Sequence, residues 1–114
     1  MDIKEIASLN SNEIYELIGR ELSESMELGE TEPEEYQDRG KRWIKKYKDQ
    51  LQKTICGGFV AETILNEKRQ WDQVLLIASI TDLIATLSIG VSPVVIATLL
   101  VKEGIEQLCH SDTE

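Results

Sequence analysis

Few residues in this chain could carry out covalent or acid–base chemistry, and they are scattered. The one histidine, His110, follows Cys109, and the second cysteine, Cys56, precedes Gly57-Gly58. Two cysteines and one histidine at this spacing match no structural zinc pattern. No Ser-His-Asp set can be assembled around His110. Gly57-Gly58 lacks the following Lys-Ser/Thr of a phosphate loop. Glu34, Glu35 and Glu62 form no carboxylate pair that the pattern places across a cleft. Cys56 at a flexible turn is a candidate nucleophile, although a cysteine packed as a small apolar side chain is the commoner state. The expectation is a protein that is not an enzyme, with no cofactor, no metal and no small-molecule substrate.

Charge is the more informative signal. The net charge is −9, and it is unevenly spread. Residues 1–39 carry twelve acids against three bases, residues 40–70 eight bases against three acids, and residues 71–114 six acids against one base. Side-by-side acidic and basic helices would screen each other, whereas either face alone could meet a partner of opposite charge. The basic segment Lys41-Arg42-Trp43-Ile44-Lys45-Lys46-Tyr47-Lys48 interleaves cations with aromatics, as nucleic-acid or anionic-membrane surfaces do. Trp43 and Tyr47, however, share a helical face with Ile44 and Leu51. That makes them core anchors and puts the bases on the opposite side. With a net charge of −9, nucleic-acid binding is not expected.

The elements that must position these groups are helices. Ile3, Ile6 and Leu9 suggest a short opening turn or helix. Asn10 and Glu13 form a capping-box pair, with Asn10 accepting a backbone N–H and Glu13 reaching back. Ile14, Leu17, Ile18 and Leu22 then make one apolar stripe of period 3.6, running to about Ser25. Residues 27–33 read as a loop, with Pro33 suited to the first turn of the next helix. Over 34–55 the marks Tyr36, Trp43, Ile44, Tyr47, Leu51 and Ile55 recur at helical spacing once Gly40 is placed on the same face. Cys56-Gly57-Gly58 ends this helix. Phe59, Val60, Ile64 and Leu65 suggest a further short helix closing near Asn66.

Residues 74–101 are the most apolar part, with Asp82 their one charge. Gly90 and the Ser92-Pro93 start signal divide them into helices over about 70–88 and 93–109. As a membrane hairpin each arm falls short of the ~20 apolar residues needed, and Asp82 would cost about 2.5 to 3.5 kcal/mol in hydrocarbon. A buried hairpin at the centre of a bundle fits better, and membrane association is the alternative. Asp82 is a surface carboxylate, a carboxylate paired with a base of 41–48, or a buried anchor for a partner. The last third, an apolar helix, Gly90-Val91-Ser92-Pro93 and a helix ending Gly104-Ile105-Glu106-Gln107-Leu108-Cys109, resembles small bacterial proteins in general character. The resemblance brings no functional motif.

The sequence therefore predicts one all-α domain over 1–114. It is a compact bundle of four to six helices, with an acidic arm over 1–30 and core helices over 34–109. Two cysteines are no disulfide framework, and an N-terminus without an apolar signal region suggests a cytoplasmic protein with two reduced thiols. So much apolar helix in so short a chain predicts a protein partner or self-association. The candidate partner-binding residues are Asp82, Leu83, Leu87, Val94 and Leu99, with Glu13 and Glu16 on the acidic arm. Glu13, Glu16, Glu24 and Glu27 could alternatively mask the basic site of a toxin or nuclease.

Overall fold

The computed structural model describes residues 2–25, 31–56, 58, 72–87 and 90–110. It is an all-α bundle. Its helices are α1 (Ile3–Ala7), α2 (Ser11–Ser25), α3 (Pro33–Ile55), α4 (Gln73–Ile84), α5 (Pro93–Glu103) and α6 (Ile105–His110), with no strand among the described residues. The expected helix from Phe59 to Leu65 lies outside the described residues, as does most of the 27–33 loop.

Local signals account for most helix ends. The Glu13 N–H donates to Asn10 Oδ1 at 2.8 Å, and the Asn10 N–H donates to Glu13 Oε1 at 2.9 Å, the reciprocal cap read from the sequence. Asp2 and Glu5 repeat the device ahead of α1. Asp72, which the sequence reading passed over, accepts from the Val74 and Leu75 N–H groups, so α4 starts at Gln73 rather than at 70. It also stops at Ile84, short of the expected 88. Pro33 and Pro93 each open a helix. Ser92 sits at the cap position, but its hydroxyl makes no capping bond. Instead its own N–H donates to Glu21 Oε1 of α2 at 2.8 Å, which ties the start of α5 to a distant helix.

The expected single helix over 93–109 is broken at Gly104. That residue has φ of 103°, a conformation open to glycine and strained for side-chain-bearing residues, and its N–H closes α5 by donating to the Leu100 carbonyl. A six-residue α6 follows.

α2 and α3 form an antiparallel pair, the most extensive contact in the bundle. Two glycines set its spacing. A Cβ on Gly19 would lie 2.0 Å from the Tyr36 carbonyl oxygen, and one on Gly40 would lie 2.2 Å from that of Tyr15. Each helix thus places a glycine against the other's backbone. Tyr36 is buried beside Gly19, with the Arg20 guanidinium 4.6 Å from its ring centre and the Arg39 guanidinium 6.0 Å away. Arg39 also donates to the buried Ser23 hydroxyl, which donates to the Gly19 carbonyl.

α5 is the central element. Val95 to Leu100 are six consecutive buried residues, and α1, α2, α4 and α6 all pack on this helix. Its partner α4 buries Ile77, Ile80 and Ile84 on one face and leaves Asp82 exposed. Of the expected apolar hairpin, one arm lies inside and the other flanks it.

The cysteines correct the sequence reading. Cys56, at the end of α3, and Cys109, in α6, form a disulfide with Cα atoms 5.5 Å apart. The expectation of two reduced thiols fails because α6 folds back beside the end of α3. A single bridge needs only two cysteines brought into range, however far apart in sequence.

Candidate functional site

An open groove of about 770 Å³ lies between α3 and the α5–α6 corner. Its floor is apolar: Ile44 from α3, Leu99 and Leu100 from α5, and Leu108 from α6. Leu99 and Leu100 belong to the buried core, so the floor is the core's own outer edge. One wall is cationic. Lys41, Lys45 and Lys48 all line the groove from α3 and are exposed. Their spacing of four and three residues puts them on one side of that helix. Among the described residues the one ion pair is Arg20 with Glu16, so none of their carboxylates lies within ion-pair distance of the three lysines.

Both ends of the groove are tied. At one end the Tyr15 hydroxyl donates to Glu103 Oε1 at 3.1 Å, bridging α2 to the end of α5, and the Lys41 ammonium lies 5.6 Å from the Tyr15 ring centre. Partial burial, reinforced by the Glu103 charge and this hydrogen bond, pushes the Tyr15 phenol up from 10.0 to about 12. It is therefore a neutral donor at physiological pH. At the other end Gln52 Nε2 donates to the Leu108 carbonyl at 2.7 Å, and the Cys56–Cys109 disulfide lies just beyond. The α6 wall is thus held by one covalent bond and one side-chain hydrogen bond, besides the packing of Ile105 and Leu108 against the core.

The sequence-predicted site residues do not converge. Asp82 is exposed on α4, in keeping with the surface-carboxylate reading. Leu83, Leu87 and Val94 are half-buried and pack against the core. Leu99, 1% exposed, is the one that reaches the groove, as part of its floor. Glu13 is used in the cap of α2, and Glu16 pairs with Arg20 at 2.9 Å. Leu75, 53% exposed, is the one large apolar side chain left open among the described residues. The excess of apolar helix is therefore mostly covered within the chain.

The reading of the basic segment holds. Trp43 is buried against Tyr47, with ring centres 4.7 Å apart, and the cations face outward. What it missed is that Ile44 sits between the lysine row and the core edge. The i, i+4, i+7 spacing of Lys41, Lys45 and Lys48 beside Ile44 was the available signal. Gln107 and Leu108 gave none, because their place depends on the Gly104 break.

No helix among the described residues is long and apolar enough to cross a membrane. No group of three His, Cys, Asp or Glu among them could hold a metal ion. Cys56, the candidate nucleophile, is bonded to Cys109. Comparison with protein-family models, with curated proteins and with solved structures finds no match.

Proposed function

We propose that this chain is a non-enzymatic protein-interaction module that holds a segment of another protein in the groove between α3 and α5–α6. One observation carries the reading: an apolar floor continuous with the core lies beside a row of three exposed lysines that form no ion pair with the described residues. Apolar floors supply affinity through area removed from water, and charged rims select the partner. Among the lining residues the hydroxyl set beside a carboxylate is that of Tyr15, and its phenol is held protonated, so binding rather than turnover is the activity these residues support.

The acidic arm supports a masking role less well. Glu13, Glu16 and Glu21 are engaged in a helix cap, an ion pair and the tie to Ser92. A second copy of this chain as partner draws little support from α4, where Leu75 stands alone. The disulfide supports oxidising surroundings over the cytoplasm expected from free thiols, since a bond of this kind persists there.

Selection from a library of displayed peptides against the oxidised chain tests the proposal. Selected peptides should lose binding when Lys41, Lys45 and Lys48 are all changed to Glu. Peptides that bind the variant equally well, or no enrichment at all, would reject the groove as the site.

A further inference from the structure

We infer that the segment taken by the groove is an acidic amphipathic helix of about three turns, an inference that rests on the interaction reading above. The length comes from the two ties. Lys41 lies at the Tyr15–Glu103 end and Gln52 at the Leu108 end. Eleven residues of α3 separate them, about 16 Å at 1.5 Å per residue, which is three turns of a helix laid alongside.

The charge pattern comes from the walls. Lys41, Lys45 and Lys48 form a row about 10 Å long on one side, matched by acids at i, i+4 and i+7 on a helix parallel to α3. Glu103 stands on the opposite wall and repels an acid placed there, so the partner's acids must face α3. The floor residues Ile44, Leu99, Leu100 and Leu108 then receive the neighbouring apolar stripe, the helix-in-groove mode of recognition.

Length and charge together exclude larger polyanions. The chain carries a net charge of −9, so a ligand that extends far beyond the lysine row meets repulsion. Nucleic acid lacks a stacking platform here, because Trp43 is buried and Tyr15 is held by Glu103. A flat anionic membrane would meet the lysine row but could not reach the recessed floor residues Leu99 and Leu100, which are buried.

Titration of the isotopically labelled, oxidised full chain tests this. One probe is a twelve-residue helical peptide with Leu on one stripe and Glu at i, i+4 and i+7 beside it. The controls are the same peptide with Gln for Glu, the same with Lys for Glu, vesicles containing phosphatidylserine, and a single-stranded oligonucleotide. The Glu peptide should shift the methyl resonances of Ile44, Leu99, Leu100 and Leu108 saturably. It should bind about tenfold tighter than the Gln peptide, the amount expected of three half-exposed ion pairs. Lys45→Glu should remove most of that advantage, and its unchanged thermal melt would show that the fold is intact. Equal binding of the Glu and Gln peptides overturns the charge assignment and leaves the groove standing as a site. Tighter binding of vesicles or oligonucleotide at the same methyls overturns the choice of partner. Absence of shifts at these methyls with every peptide overturns both this inference and the function it rests on.

Discussion

Two regions of this bundle are joined in opposite ways. The α2–α3 pair is held by close backbone approach, with Gly19 and Gly40 each set against the other helix and Tyr36, Arg20, Arg39 and Ser23 locked around the crossing. The α3–α6 corner has a helix of six residues, a Gly104 turn at φ 103° and one disulfide. A six-residue helix is too short to be stable by itself, so its position depends on the covalent bond, on Gln52 and on the packing of Ile105 and Leu108 against the core. Packing alone thus fixes the scaffold, while one wall of the groove also needs a clamp.

Breaking the clamp should have the largest effect. Loop-closure entropy for a bridge spanning 53 residues predicts a loss of about 4 kcal/mol on removing it. Urea unfolding with and without a dithiol reductant, or of the Cys56→Ser/Cys109→Ser variant, measures this. The comparison further requires that amide protection fall first in α6 and the adjoining end of α3, while the α2–α3 crossing keeps its own. Equal loss in both regions would show that the clamp is not local.

The crossing is broken by adding one carbon. Gly40→Ala forces a Cβ onto the Tyr15 carbonyl and should cost about 3 kcal/mol by overpacking, read from the denaturation midpoint. Gly19→Ala should act similarly. The double variant should lose less than the sum, because one separation of the helices relieves both clashes. Gly104→Ala sharpens the contrast, since its Cβ would make only ordinary contact with Gln107 at 4.0 Å and the variant suffers from its backbone conformation, at about 1 to 2 kcal/mol.

Much of the scaffold was legible in the sequence. Asn10 with Glu13, Pro33, and the period of 34–55 with Gly40 on the buried face are local signals, and local physics decides helix starts and faces. The corner was not legible. Two lone cysteines carry no information about distance, and Gly104 looks like a tolerable helix glycine until its φ is known. The groove needs both, because Gln107 and Leu108 reach it only after the chain turns at Gly104. The same dependence separates Asp82, Leu83 and Leu87 from the groove. An apolar stretch is visible in sequence, but which of its two helices ends up inside depends on tertiary packing.

The smallest effect concerns the tie between the two regions, the Tyr15–Glu103 hydrogen bond. The folded phenol titrates at about 12 and the unfolded one near 10.0, so the raised value favours the folded state while Tyr15 is protonated. That contribution is complete below pH 10 and is lost as pH rises toward 12. Stability of the natural chain should therefore fall more steeply between pH 10 and 12 than that of Tyr15→Phe, as followed by urea midpoints. Parallel profiles would remove the bridge from the account.

The central claim is that the lysine-walled groove is where this protein meets its partner. Hydrogen exchange of the oxidised chain, with and without the glutamate-bearing helical peptide, tests it most directly. The account predicts new protection in α3 around residues 41–48 and across residues 99–108, with α4 unchanged. Protection confined to α4 around Asp82, Leu83 and Leu87 would contradict it.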